Sequence, residues 1–121
     1  MVPPAAAAAP GDRGNRRRNP WRDPARVVTA PRLADLHGPV TGVVELPHRI
    51  FWQPDRHVNL DSPGLLQWTY ETVLREAASA AELERWLDGP TLVRLWPDLY
   101  LPAAVRQAWQ QRHPVLLRAA A

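Results

Sequence analysis

The side chains of this chain that could carry metal chemistry are few and scattered. Its histidines are His37, His48, His57 and His113, and it contains no cysteine. No two histidines stand four residues apart, the spacing that places two ligands on one face of a helix. A zinc or iron site needs three or four ligands that converge on one point. The sequence therefore predicts neither a metal site nor a bound cofactor.

Nucleophilic catalysis would need a serine beside a base. The two serines, Ser62 and Ser79, both stand where the N-cap residue of a helix is expected. Asp55, His57 and Ser62 could be drawn as a triad, but triad members usually come from distant parts of a chain. Asp55 and His57 are better explained as part of a polar turn. The six glycines form neither a phosphate-binding loop nor a dinucleotide fingerprint, so the sequence favours a protein that is not an enzyme.

Positive charge is concentrated in the first third of the chain. Residues 1–42 hold seven arginines and three acidic residues, a net charge of +4, whereas residues 43–121 hold eight arginines and nine acidic residues, a net charge of −1. Flexible arginine-rich segments bind phosphate backbones, and an aromatic side chain can stack on bases. The alternative is a solvated tail that binds nothing. The candidate nucleic-acid-binding residues are Arg13, Arg16, Arg17, Arg18, Trp21, Arg22 and Arg26.

Proline governs the expected structure of the same segment. Seven prolines fall within residues 1–42, and each removes a backbone donor and disfavours the α conformation in the residue before it. This Pro/Ala/Arg-rich segment is therefore predicted to be disordered, apart from a turn of helix at residues 31–36. Translated GC-rich non-coding DNA has the same composition. In that second interpretation the native protein begins at Val43 or Val44 and lacks the basic segment.

Helix signals begin further along the chain. Asp61 or Ser62 is expected to cap a first helix, because apolar residues recur at helical spacing from residue 66 to residue 77. Ser79 followed by Glu82 is a capping-box pattern, which predicts a second helix. Gly89 is expected to end that helix as its C′ residue.

Two shorter helices are predicted after the second. Thr91 is expected to cap a third helix, whose apolar residues precede a stop at Pro97. Pro102 is expected to begin a last helix, which ends before His113 and the proline that follows it. Short connections between these elements favour packing of neighbouring helices against one another.

The predicted fold is all-α: a small domain of three to four helices. It is expected to occupy residues 43–117, behind the disordered segment and ahead of a short tail at residues 118–121. Phe51 and Trp52 end an extended apolar segment that is expected to lie against the helices. No apolar run reaches the roughly 18 residues that a membrane span needs. Without a charged leader and apolar core at its start, the protein is expected to be cytoplasmic.

The first predicted helix carries a second, weaker apolar flank. Trp68 lies outside the main apolar stripe, and Leu65 is its i, i+3 neighbour. Exposed tryptophans are frequent among the hot spots of protein interfaces, so this flank is a candidate binding surface. The alternative is that the segment ending in Phe51 and Trp52 covers it. The candidate protein-binding residues, taken with the turn that follows the third helix, are Leu65, Trp68, Trp96, Leu99 and Tyr100.

Aromatic and proline motifs recur through this part of the chain, among them Phe51-Trp52, Arg85-Trp86-Leu87-Asp88-Gly89, Leu95-Trp96-Pro97-Asp98-Leu99, Arg106-x-Ala108-Trp109 and His113-Pro114. With these motifs, residues 46–117 resemble a group of small actinobacterial proteins. Members of the group are often encoded beside nucleotidyltransferase-type toxins of the abortive-infection class. The resemblance implies an antitoxin-like partner of such a toxin. It carries over no functional residue, and it favours the shorter native protein because it excludes the basic segment.

Overall fold

The computed structural model describes residues 24–120. Within that part of the chain the fold is mostly helical, as predicted, but it has five α-helices and a small sheet. The helices are α1 (Pro63–Glu76), α2 (Ala80–Trp86), α3 (Gly89–Leu95), α4 (Ala103–Arg112) and α5 (Pro114–Ala120). Single 3₁₀ turns are formed by Pro24–Arg26, Leu33–Asp35 and Trp96–Asp98.

Two strands, β1 (Val43–Glu45) and β2 (His57–Asn59), pair antiparallel with Val44 opposite Val58. The prediction of a purely α fold missed this sheet. Each strand has three residues, too few for an apolar–polar alternation to stand out in the sequence. The segment that carries Phe51 connects the two strands. The pairing of the strands therefore fixes both ends of this segment.

Residues 24–42 belong to the packed domain, so the prediction of disorder is wrong for them, whereas the turn of helix expected within residues 31–36 is present at Leu33–Asp35. Ala30 and Leu36 are buried. The His113 ring donates from Nε2 to the carbonyl of Ala30 at 2.7 Å, and Gly38 N donates to the carbonyl of Leu87 at 2.7 Å. This segment folds because its apolar side chains reach the core and its backbone pairs with residues that are distant in sequence. Residues 1–23 lie outside the described residues.

The sequence signals for α1 are confirmed. Ser62 is the N-cap residue, with its side chain accepting from Leu65 N at 3.5 Å. The predicted face is buried, with Leu66, Tyr70 and Val73 each less than a tenth exposed. This helix forms one wall of the core.

The junction of α2 and α3 corrects two predictions. Gly89 begins α3 where it was expected to end α2, and Thr91 lies within α3 where it was expected to be its cap. Asp88 is the N-cap residue, because its carboxylate accepts from Thr91 N at 3.2 Å and from the Thr91 hydroxyl at 2.7 Å. A C′ glycine and an N-terminal Asp-Gly-Pro look alike in sequence. Here Leu87 already ends α2.

Tyr70 fixes this junction to α1. Its buried hydroxyl accepts a hydrogen bond from Asp88 N at 2.9 Å. Burial raises the pKa of Tyr70 to about 12, so the hydroxyl stays protonated at physiological pH. The connection between α2 and α3 is thereby held against the first helix.

The last two helices close the core. Trp96 and Trp109 are fully buried, and the Arg106 guanidinium lies 4.9 Å from the centre of the Trp96 ring. Pro114 was expected to mark the end of the helical part, followed by a tail from residue 118. It instead stands first in α5, a position that suits a residue without a backbone N–H.

Candidate protein-interaction surface

The outer flank of α1 is only partly covered by the segment before β2. The rings of Phe51 and Trp68 pack edge-to-face, with centroids 4.9 Å apart and planes at 73°. Trp68 is half-buried as a result. Trp52, the next residue, is 73% exposed, which corrects the expectation that it lies on the helices. Within this chain, Phe51 therefore covers part of Trp68, whereas Trp52 is exposed to solvent.

A cleft of about 210 Å³ lies between this segment and α1. Phe51 and Trp52 line one side, and Trp68 and Thr72 line the helix side. The cleft is small for an organic ligand, since binding pockets for such ligands usually enclose about 300 Å³ or more. A volume of this size suits a single side chain of a protein partner better.

Arg49 anchors the segment at its other end. It donates from Nε to Glu82 Oε2 at 3.2 Å, forms a second bond to the same carboxylate, and donates to the carbonyl of Glu76 at 2.9 Å. The hydrogen bond with Glu82 is the main reason that the pKa of Arg49 is raised. The same bond lowers the pKa of Glu82 against the opposing effect of burial. The segment is thus tied to the end of α1 and the start of α2.

Glu82 also caps α2, in a variant of the predicted capping box. Ser79 accepts from Glu82 N at 3.3 Å, as expected. The Glu82 carboxylate accepts from Ala78 N at 2.7 Å, one residue before the N-cap, where the pattern predicts the N-cap N–H itself. One carboxylate therefore serves both the helix start and the Arg49 anchor.

This arrangement predicts an acid-sensitive contribution to stability. Because the folded state lowers the pKa of Glu82, the ion pair stabilises the fold above the usual glutamate pKa of about 4.3 and is lost as the pH falls below it. Glu82→Gln should be less stable than the natural chain by about 1 kcal/mol near neutral pH. In urea unfolding at about pH 3 the difference should be smaller. An equal difference at both pH values would show that the carboxylate charge is not responsible.

The turn after α3 lies along the opposite side of the same flank. Tyr100 N donates to Glu71 Oε2 at 2.7 Å, and Gln67 Nε2 donates to the carbonyl of Asp98 at 2.8 Å. Gln67 also donates to Glu71 at 3.2 Å. Two side chains one turn apart on α1 therefore hold the backbone of this turn. The Tyr100 side chain is 84% exposed.

The helical spacing of α1 relates these two sides to each other. With 3.6 residues per turn, Glu71 lies on one side of Trp68 and Thr72 on the other. Tyr100 is bonded on the Glu71 side, and Trp52 lines the cleft on the Thr72 side. Leu65, one turn before Trp68, is 42% exposed. We call the surface formed by Trp52, Leu65, Trp68 and Tyr100 the aromatic flank.

Two of the predicted interface residues do not belong to it. Trp96 is fully buried and Leu99 is 3% exposed, so neither can touch a partner in this structure. The cause lies in α4, where Arg106 stacks on Trp96 and donates to the carbonyls of Trp96 and Leu99. This draws the turn inward and leaves Tyr100 as its outward residue. Trp52 was missed as a surface residue, although the Gln-Pro-Asp turn directly after it was a signal.

The other candidate sites were also located. His57 Nδ1 lies 3.0 Å from Asp55 Oδ1, and both side chains are exposed. The hydrogen bond from His57 N is the main cause of a lowered Asp55 pKa. With Ser62 occupied as a cap, this is the polar turn that the sequence predicts. Arg26 is exposed in the first 3₁₀ turn, and the other candidate nucleic-acid-binding residues, Arg13, Arg16, Arg17, Arg18, Trp21 and Arg22, lie outside the described residues.

Among residues 24–120, no three His, Asp or Glu side chains are grouped so that they could hold a metal ion. In the same part of the chain no helix combines the length and the apolar character needed to cross a membrane. Comparison with known proteins gives no match to a family model, to a curated protein or to a solved structure.

Proposed function

We propose that this chain is a non-enzymatic protein-interaction domain that binds its partner through the aromatic flank. The observation that carries the proposal is the exposure of Trp52 and Tyr100, 73% and 84% respectively, on either side of the half-buried Trp68. Aromatic residues are enriched in the cores of protein interfaces, and tryptophan and tyrosine are over-represented among hot spots. Burying both would remove a large apolar area from water.

The flank is also held in place before any partner arrives. Arg49 fixes the segment that carries Trp52 through Glu82 and Glu76. Gln67 and Glu71 fix the turn that carries Tyr100. A surface that is ordered in advance loses less conformational entropy on binding. These contacts therefore support a role in recognition, because they position exposed aromatic side chains without burying them.

The partner that we propose is a nucleotidyltransferase-type toxin, with this chain as its antitoxin-like companion in the cytoplasm. This step depends on the resemblance of residues 46–117 to small proteins encoded beside such toxins. A companion of this kind acts by binding and requires no catalytic group of its own.

Removing the exposed aromatic side chains should weaken binding to a nucleotidyltransferase-type toxin of the proposed class. Trp52→Ala and Tyr100→Ala should each cost about 2 kcal/mol, a loss of about thirtyfold in affinity, because hot-spot aromatics contribute this much. Isothermal titration with the purified toxin would measure the change. Leu117→Ala is the matched control, since Leu117 is 53% exposed but lies on α5.

Trp68→Ala is a weaker test, because Trp68 also packs against Phe51 and its loss should lower stability as well as affinity. Circular dichroism would establish that the Trp52 and Tyr100 variants keep their helix content. If their affinity equals that of the natural chain, the aromatic flank is not the interface. If the natural chain itself does not bind, the toxin is the wrong partner.

A further inference from the structure

We infer a second binding site, in which an arginine-rimmed groove takes an acidic segment of a protein partner that carries an apolar side chain. The groove is a shallow, open depression between residues 31–34 and the junction of α4 with α5, with a volume of about 620 Å³. It shares no lining residue with the cleft beside Trp68. The inference therefore stands whether or not the aromatic flank binds a toxin.

The rim of the groove is positively charged. Arg32, Arg112 and Arg118 line it, and none of its lining residues is acidic. Arg118 is exposed and forms no hydrogen bond or ion pair within residues 24–120. Arg112 donates a long bond to the Thr29 hydroxyl at 3.4 Å. Two guanidinium groups are thus available for carboxylates, the acceptors that arginine binds best in a fork geometry.

The third arginine is partly committed. Arg32 donates from Nε to Asp35 at 3.1 Å, but its side chain is 76% exposed. An exposed ion pair of this kind is weak, so a bound carboxylate could compete for the remaining N–H groups. The rim therefore presents three positively charged guanidinium groups around one groove.

The floor of the groove is apolar and aliphatic. Pro31, Leu33, Pro114 and Val115 line it, with Leu33 and Val115 half-buried. Such a floor suits an aliphatic side chain of a peptide, whose burial would add to the charge attraction. Single-stranded nucleic acids are usually bound by stacking bases on aromatic side chains. The one aromatic lining residue, His113, is buried and bonded to the carbonyl of Ala30.

The sign of the charge also distinguishes two possible occupants of the groove, a segment of another protein and the first residues of this chain. Residues 1–23 contain five arginines and two aspartates, a net charge of the same sign as the rim, so charge does not favour them as the occupant. An acidic segment from another protein has the complementary sign, and complementary charge favours both encounter and correct register. The occupant we infer is therefore a partner's acidic segment.

A labelled synthetic peptide in which glutamate alternates with leucine tests this inference against the full chain by fluorescence anisotropy. We expect binding that weakens with added salt, and an affinity about tenfold lower for Arg118→Glu. Arg94→Glu is the matched control. Arg94 and Arg118 are both exposed arginines in the last turn of a seven-residue helix, but Arg94 does not line the groove. Its variant should bind like the natural chain.

Several results would overturn the inference. They are no binding of the peptide, an equal loss in both variants, or equally tight binding of a peptide made of glutamate alone. Tighter binding of a single-stranded oligonucleotide of the same charge, lost in Arg118→Glu, would assign the groove to nucleic acid. If Arg118→Glu fails to fold by circular dichroism, Arg118→Gln removes the same charge with a milder change and replaces it in the comparison.

Discussion

A chain that begins at Val43 should be less stable than one that begins at Pro24 by at least about 3 kcal/mol, and it is expected to be largely unfolded at 37 °C. The deleted segment carries Ala30 and Leu36, both buried in the core. Losing a buried leucine alone costs about 2–5 kcal/mol. The remaining domain is small and has little stability to spare.

Polar groups would lose their partners in the same deletion. The buried His113 ring would lose the Ala30 carbonyl that accepts its hydrogen bond. Leu87 O would lose the hydrogen bond from Gly38 N, and Gly89 N would lose the carbonyl of Leu36. The last two groups lie where α2 gives way to α3. We therefore expect that junction to loosen first.

Urea unfolding of the two shortened chains and the full chain, followed by tryptophan fluorescence, would measure the effect. Trp96 and Trp109 are fully buried, so their emission reports the core. Coincident unfolding curves for the two shortened chains would contradict the expectation and show residues 24–42 to be an appendage. That outcome would also restore the domain boundary that composition predicts.

Local patterns in the sequence predicted the local parts of this fold. The caps Ser62 and Ser79 and the buried face of α1 follow from spacings of three and four residues, which act within a single helix. Gly89 was misassigned because the choice between ending one helix and beginning the next depends on Asp88 and on the Tyr70 hydroxyl that binds its backbone. Tyr70 is eighteen residues away from Asp88, so no local pattern contains that information.

The candidate surface was likewise predicted only in part from the sequence. Tyr100 and Leu65 were expected to be exposed, and they are. Trp96 was also expected at the surface, but Arg106 on a later helix stacks on its ring and helps to hold it inside. Trp52 was expected to be covered and is 73% exposed. Which aromatic side chain faces water is decided by tertiary contacts, and residue type alone does not reveal it.

Residues 24–42 were the largest departure because composition treats a segment as if it stood alone. A short stretch that contains several prolines is not expected to fold by itself. It can still dock when a larger domain supplies acceptors and donors, as Leu87 O does for Gly38 N and the His113 ring does for Ala30 O. The docking depends on very close approaches of two backbones at Gly38 and at Gly89, of which Gly38 lies in the docking segment itself.

Gly38→Ala should destabilise the domain by about 3 kcal/mol, because a methyl group at this position has no room. A Cβ atom on Gly38 would lie 2.4 Å from Trp86 C and 2.7 Å from Leu87 N. These are backbone atoms at the end of α2, so they cannot swing aside as a flexible side chain would. The segment would have to move away and give up its bond to Leu87 O.

Gly64→Ala is the matched control, since a Cβ atom there meets nothing within 4 Å. Gly64 lies in the first turn of α1, where alanine should raise stability by about 0.5–1 kcal/mol. The same substitution should therefore shift the urea midpoint in opposite directions at the two positions. Since residues 31–34 form one wall of the arginine-rimmed groove, Gly38→Ala should also weaken peptide binding there. A midpoint that is unchanged in Gly38→Ala would mean that the two backbones do not approach so closely in solution.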